Sequence, residues 1–501
     1  MAARCGPVSA AGTGTDLPRL SAATLDRLRQ GVARIRRHPD ARIGVVHLGI
    51  GAFHRAHQAV FTEEAMAADG DGGWAILGVT QRSRAVVERM RPQDGYYGVL
   101  ELDEGAASAR VVGAVADVVS ALDEPDRVLT AIADPAVGVV GLTVTEKGYR
   151  RGGDGRLDLR DPAVRADLER PDAPSTAVGQ LVRGLQRRAR EGTPLTVVSC
   201  DNLVGNGAVL AGLVADFCAA LPLAEGEPLG DWVRTAVRFP GTMVDRIVPA
   251  TTDEDRERAA ELLGVRDEAL VVAEPFRQWV IEDAFAGPVP AWHRAGATLT
   301  TDVAPYEAVK LRLLNATHSL LAYTGALAGY ATIAEAVRDE RLAAAAAALM
   351  DEDALPTLVA PEGVDLADYR RSVLHRFANP ALRHRTTQVA MDGSAKLPVR
   401  LLPTVRERLR AGAEPRWAAL AVAAWMAYVA RGRDVAGRAL PLDDPLADRL
   451  RASAAGPRRG LAERLLAVPE VFDDELRDSA VLRALLDEHL HELLDAVVPG
   501  P

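Results

Sequence analysis

The stretch YEAVKLRLLNATHS, residues 306–319, sets Glu307, Lys310, Asn315 and His318 among leucines. At about 100° per residue, Glu307, Lys310, Leu311, Leu314 and His318 share one helix face, with Asn315 at its edge. Plain core does not carry a lysine, which is almost never buried without a partner. A lysine in an apolar cleft suits acid–base work, because desolvation disfavours its charged form and draws its pKa toward neutrality. Such an amine can take a hydroxyl proton while hydride leaves the carbon. In reverse, it donates to a carbonyl oxygen. Asn315, and Asn202 in SCDN, offer N–H donors to a developing alkoxide. His318 can orient a neighbouring hydroxyl. Glu307, one turn before Lys310, can relay the proton to solvent. The competing reading is a surface pair of Glu307 with Lys310, with Asn315 and His318 capping or packing. Against it, the polar residues share the Leu311 and Leu314 side, and the other side holds Leu313 beside Arg312 and Thr317.

These groups need a frame. Ile43, Val45, Val46 and Leu48 read as a buried strand that runs into GIGAFHRAHQ, with a helix through 56–68. A glycine turn between strand and helix is the setting in which a dinucleotide pyrophosphate meets backbone N–H groups. Gly49 permits the tight turn and Gly51 the close approach; His54 stands where a third glycine is usual. Gly49, Gly51, Ala52 and Phe53 are the candidate cofactor loop, against the plainer reading of an ordinary strand–helix turn. The next strand, 74–80, ends Thr80-Gln81-Arg82-Ser83-Arg84, with no acidic residue for the ribose of NAD. Arg82 or Arg84 could meet the 2′-phosphate of NADP, or be a solvated surface arginine. NAD and NADP therefore both stay open. His54 and His57 have no carboxylate or cysteine ligands nearby in sequence, so packing against the loop is expected rather than a metal.

Further strands are expected at 137–146 and 194–202, with helices at 176–190 and 207–220 between and after them. Strands alternating with helices predict a parallel sheet covered on both faces, with ligands at the carboxyl ends of the strands. The polar endings TEKGY and SCDN fall there. Thr145 and Glu146 become cofactor candidates, and Lys147 a substrate candidate. Beyond about residue 295 strand signals fade, and helices are expected at 304–327, 330–350, 365–377, 402–411, 415–431 and 479–496. The expected division is a leader and surface helix (1–38), a Rossmann-type dinucleotide-binding domain (39–295) and a helical substrate and catalytic domain (296–501). The fold class is α/β with a mainly α-helical C-terminal domain.

Composition narrows the partners. The chain has 501 residues, 48% of them apolar, and a net charge of −10, which argues against nucleic acid or an acidic membrane surface. Cys5, Cys200 and Cys218 form neither a disulfide framework nor a metal-ligand pattern, and a reducing cytoplasm fits. The N-terminal MAARCGPVSAAGTGTDLP has no continuous apolar region and is expected to be a loose leader rather than a signal peptide. The apolar stretch 417–429 is shorter than the roughly 20 residues that a bilayer requires. The expected ligand is a small molecule, and the expected state a monomer or small homo-oligomer.

The chain resembles the polyol-specific long-chain dehydrogenases, the mannitol dehydrogenase family. The resemblance is carried by HLGIGAFHRAHQA, LTVTEKGY, SCDNLVGNG, FPGTMVDRIVP, EPFRQWVIED, KLRLLNATHS and HRTTQVAMDGSAKLP, between residue 47 and about residue 400. It implies an N-terminal Rossmann-type domain, a helical C-terminal domain, and metal-free, nicotinamide-dependent interconversion of a secondary alcohol and a ketone. The family's catalytic lysine falls on Lys310, its oxyanion asparagines on Asn202 and Asn315, its histidine on His318, its relay glutamate on Glu307 and a substrate-side lysine on Lys396. Val244 and Asp245 fall near cofactor or substrate. Lys147 and Arg277 are cations where neutral-polyol members tend to be uncharged, and Arg383, His384 and Arg385 add further positive groups. Gln388 stands where those members carry an arginine. Guanidinium binds carboxylate in two-pronged fashion, so these cations favour a sugar acid; a neutral polyol stays the alternative.

Overall fold

The computed structural model describes residues 17–35, 37, 38 and 40–495. Most of the expected leader, with Cys5, lies outside the described residues. The chain divides between Val303 and Ala304 into two compact units.

The first unit is built on six parallel strands: β1 (Ile43–Leu48), β2 (Ala75–Thr80), β3 (Val115–Ser120), β4 (Val139–Leu142), β5 (Leu195–Ser199) and β6 (Val237–Arg238). Their order is β3-β2-β1-β4-β5-β6, and every pairing is parallel. This is the doubly wound order of dinucleotide-binding folds, which reverses direction between β1 and β4. Successive side chains of a strand point to opposite faces, and here both faces are buried. Val45, Ile76, Val118, Val139 and Val198 enter one core with Val60, Phe61 and Trp279. Val46, Leu77, Val119, Val140 and Val197 enter another with Val128, Leu181, Leu185 and Leu213. The first core is covered by α1 (Ala52–Ala56) and α2 (Gln58–Asp69), the second by α3 (Pro125–Ala133), α4 (Ala177–Arg188) and α5 (Asn206–Ala220).

Two smaller sheets were not read from the sequence. One joins residues 33–34, 106–112, 97–103 and 271–273; the other joins 242–245, 278–282 and 298–300. The expected surface helix at 21–38 is replaced by a 3-10 turn, Ala22–Arg27, and a short strand, Ala33–Arg34. Gly31, at φ +88, takes a left-handed conformation that no helix continues through. The helix expected at 56–68 starts earlier and breaks at His57, whose backbone leaves the helical region. The strand expected at 137–146 stops at Leu142, and Glu146–Tyr149 form a 3-10 turn.

The second unit is helical. The run expected as one helix at 304–327 is α6 (Ala304–Val309), a π-helical turn (Lys310–Asn315) and α7 (Ala316–Leu327). The helix expected at 330–350 is two, Ile333–Arg338 and Glu340–Ala348. Thr332 and Glu335 make a capping box at the first, and the Asp339 carboxylate caps the second, so each start has its own signal. At the centre lies α8 (Arg416–Arg431), which packs against α7 and α9 (Ala480–Asp495) and buries Val422, Trp425 and Met426. Among the described residues, no helix is long and apolar enough to cross a membrane.

Candidate active site

The glycine loop follows β1 at the point where strand order reverses. Gly49 has φ +98, and a Cβ there would stand 2.1 Å from the Thr143 carbonyl oxygen, so only glycine fits. At Gly51 the nearest atom to an added Cβ is 3.9 Å away. Gly51 precedes α1, whose start carries no side-chain cap. Backbone N–H groups at a helix start, unobstructed by a Cβ, fit a phosphate. The loop is pinned from below. His47 Nε2–H donates to Thr143 Oγ1 (2.8 Å), whose hydroxyl donates to the Gly49 carbonyl (2.7 Å). His47 also stacks on His54, with ring centroids 3.5 Å apart. Burial lowers the His47 pKa to about 3 and holds His54 well below its ordinary value. The residue in the third-glycine position is thus a neutral imidazole packed beneath the loop. His57 donates from Nε2 to the Gln278 carbonyl (2.8 Å) and accepts at Nδ1 from Gln58 (3.0 Å). Among the described residues no group of three His, Cys, Asp or Glu side chains converges as metal ligands would.

At the end of β2, Gln81 donates to Gln180 (2.9 Å) and Arg82 is exposed. Arg84 is committed to a two-pronged pair with Asp123, its Nε bond being 2.7 Å. Of the two arginines considered for a 2′-phosphate, Arg82 is the one that is exposed and makes no such pair among the described residues.

The ends of β4 and β5 are tied together by a residue that the sequence reading passed over. The Asp201 carboxylate accepts from the backbone N–H of Thr145 (2.8 Å) and Val144 (3.0 Å) and from the Tyr149 hydroxyl (2.8 Å). Burial pushes its pKa up against these three donors. Thr145 sits at φ +66, ψ 160, a region that is nearly glycine-only and costs on the order of 1–3 kcal/mol. Thr145, Glu146 and Lys147 are exposed, as is Asn202 next to Asp201. The carboxyl ends of β1, β4 and β5 therefore bring the glycine loop, Thr145–Lys147 and Asn202 to one edge of the sheet. Asp245 is buried at the end of the strand Thr242–Asp245, opposite Gln278 and close enough to act on the His57 ring. Arg277 pairs with Glu64, which also accepts from Arg110, and lies over the Phe61 ring at 4.6 Å.

In the second unit, Lys310 is 8% exposed and opens the π-helical turn that Asn315 closes. The Ala316 N–H bonds to the Leu311 carbonyl, five residues back. In a continuous α-helix Asn315 would stand about 140° round from Lys310; the wider turn carries it back toward the lysine face. Single π turns inside helices concentrate at functional sites. Arg312 is turned away into a two-pronged pair with Glu407 (2.6 and 2.7 Å). His318 lies between Phe377 and His384, each ring centroid 4.7 Å away. Burial, then the His384 ring and the cations Arg400, Lys396 and Arg376, hold it well below its ordinary pKa, so it is a neutral imidazole; burial lowers His384 itself to about 4. Lys396 Nζ donates to the Val389 carbonyl (3.1 Å). Arg400, not singled out from the sequence, reaches Ser319 Oγ (3.4 Å), which donates to the Asn315 carbonyl (3.1 Å). Glu307 is half-buried, and Arg385 and Gln388 are exposed.

Comparison with known proteins agrees with this architecture. The mannitol dehydrogenase Rossmann domain matches residues 43–294, and the mannitol dehydrogenase C-terminal domain matches residues 302–494. D-mannonate oxidoreductase of Escherichia coli is 42% identical over 450 residues, covering 88% of this chain and 91% of that protein. Mannitol dehydrogenase 2 of Saccharomyces cerevisiae is 37% identical over 457 residues, 90% of each. The Pseudomonas fluorescens mannitol 2-dehydrogenase structure, a ternary complex with NAD and D-mannitol, superposes with a TM-score of 0.86 at 36% identity, covering 96% of this chain and 98% of that one. With both family domains matched along nearly all of the described chain, the protein belongs to the mannitol dehydrogenase family of oxidoreductases.

Proposed function

We propose that this protein is an NAD-dependent reductase of a keto sugar acid, converting D-fructuronate and NADH to D-mannonate and NAD. The observation that carries the dehydrogenase chemistry is the π-helical turn, with buried Lys310 at its start, Asn315 at its end and neutral His318 one turn on. The sugar acid is supported by the relative named D-mannonate oxidoreductase and by the cations at Lys147, Arg277 and Arg385.

Gly49, Gly51, Ala52 and Phe53 would hold the pyrophosphate of NAD, with Thr145, Glu146 and Asp245 bordering it. Arg82 is the residue that would admit NADP. Bound NAD takes up or supplies the hydride. The Lys310 amine holds and moves the proton of the reacting hydroxyl, and Glu307 relays it to solvent. Asn202 and Asn315 donate N–H groups to the oxygen as its charge grows. His318, uncharged, orients a neighbouring hydroxyl. Arg277 has one edge taken by Glu64, so its share in binding a carboxylate is its Nη1 edge. The unpaired thiols Cys200 and Cys218 suit a reducing cytoplasm.

A neutral polyol is the second reading, favoured by the likeness to mannitol 2-dehydrogenase. A substrate panel separates the two. NADH and NADPH consumption is measured with D-fructuronate, D-tagaturonate and D-fructose. Preference for D-fructuronate with NADH is expected; clear preference for D-fructose rejects the sugar acid.

A further inference from the structure

We propose that Asp201 is a positioning residue that holds Val144–Lys147 in the strained shape that meets the nucleotide, a role that rests on the nicotinamide-dependent reading above. The segment follows β4, next to the glycine loop. Its two successive N–H groups, on Val144 and Thr145, both point into one carboxylate. Its far end is held by the same group, because the Tyr149 hydroxyl donates to Asp201 and accepts from Ser199 (2.7 Å). Between these points Thr145 keeps φ +66 and ψ 160, and its carbonyl accepts from Gly148 N–H (2.9 Å). A β-branched residue does not rest there unaided.

Asp201 is itself anchored. The Cys200 N–H bonds to Leu142 at the end of β4 (2.9 Å), and the Asp201 carbonyl accepts from Leu203 N–H (2.8 Å) and from the Asn206 amide (3.2 Å). The carboxylate is therefore a fixed point, and the segment is what yields to it. Thr145, Glu146 and Lys147 are exposed, so packing does not explain their conformation. What the shape does is present them at the carboxyl edge of the sheet, beside Gly49 and Gly51. The same residue that ties the segment leads directly into Asn202, so one carboxylate sets the relation of a nucleotide-facing segment to an alkoxide donor.

The test compares the parent with Asp201→Asn and with Asp201→Asn combined with Thr145→Gly. NADH and NADPH affinity is read by fluorescence titration, folding by thermal melting, and the segment by amide hydrogen exchange over residues 143–149. Asp201→Asn should weaken NADH binding at least tenfold and speed exchange in the segment. Glycine occupies φ +66, ψ 160 without strain, so the added Thr145→Gly should recover most of the lost affinity; a carboxylate needed only for global stability would not be replaced in this way. NADH affinity unchanged in Asp201→Asn, or no recovery in the double variant, overturns the proposal. If Asp201→Asn does not fold, Tyr149→Phe removes one donor alone, and a severalfold weaker affinity is expected, unchanged affinity being the contrary result. A parent that binds neither nucleotide overturns the dehydrogenase reading. The exchange comparison then still reads whether Asp201 holds the segment, which keeps the two failures apart.

Discussion

Arg277 pairs with Glu64 through Nη2, while its Nη1 is buried without a hydrogen-bond partner among the described residues. A guanidinium half used in this way is both buttress and candidate ligand. Arg277→Leu removes the ion pair and the contact with Phe61, together worth about 1–2 kcal/mol. The melting temperature should fall accordingly. If Nη1 meets a substrate carboxylate, KM for D-fructuronate should also rise about tenfold, and KM for D-fructose should not. Steady-state kinetics with both sugars decide it: equal changes would leave Arg277 a buttress alone.

Gly49 and Gly51 separate folding from cofactor binding. Gly49→Ala puts a Cβ 2.1 Å from the Thr143 carbonyl at φ +98, so it should destabilise the first unit by several kcal/mol. Gly51→Ala, at φ −76 with the nearest atom 3.9 Å away, should melt like the parent. Its methyl instead occupies the approach of a phosphate to α1, and NADH affinity should drop at least tenfold. Melting and NADH titration on both variants check this. A Gly51→Ala protein that binds NADH normally would move the nucleotide away from this loop.

The sequence exposed those parts of the fold that depend on continuous apolar runs. β1, β2, β4 and β5 are legible because a parallel strand buried on both faces reads as an unbroken apolar run, as in IGVVHL and LTVVS. The hairpin Tyr97–Asp103 with Ala106–Val112 was not, because AASARVV is small and polar for most of its length. Lys310, Asn315 and His318 stood out as polar residues among leucines. The π turn that regroups them did not, since it is a choice of backbone register that leaves side-chain types unchanged. Asp201 and His47 were missed for another reason. Their partners, Thr145 and Thr143, lie 56 and 96 residues away, and only strand adjacency makes them neighbours.

Lys310→Ala and Asn315→Ala should both act on turnover rather than on nucleotide binding. Removing a general acid–base group lowers kcat roughly 10²–10⁴-fold. Removing one alkoxide donor lowers it about 10²–10³-fold. NADH titrations should match the parent in both. A Lys310→Ala protein within tenfold of parental kcat would assign the proton transfer to another group.

Stability should fall as the medium is acidified below about pH 6.5, because buried imidazoles resist protonation in the fold. Burial lowers His47 and His57 to about 3 from 6.5. Between those values the unfolded chain holds protons that the folded chain refuses. Each imidazole therefore gives stability that is complete above pH 6.5 and is lost as pH falls toward 3, at about 1.4 kcal/mol per pH unit. His54 and His318, also lowered by burial, act in the same direction. Glu63 opposes them. Burial raises it from 4.5 to about 7, so the fold takes up a proton there before the unfolded chain does. Its contribution is present below pH 4.5 and is lost as pH rises through 7. Asp201, Asp267 and Asp353, raised by burial from a lower starting value, act with Glu63, while His384 and His489 join the lowered imidazoles. Between pH 6.5 and 5.5 the six imidazoles outweigh the carboxyls, and urea midpoints should fall across that unit. In Glu63→Gln its share of the opposing uptake is gone, and the midpoint should fall more steeply with pH than in the parent. Midpoints that stay level or rise on acidification would mean that these imidazoles are charged in the fold, and the neutral stack of His47 on His54 beneath Gly49 would have to be abandoned.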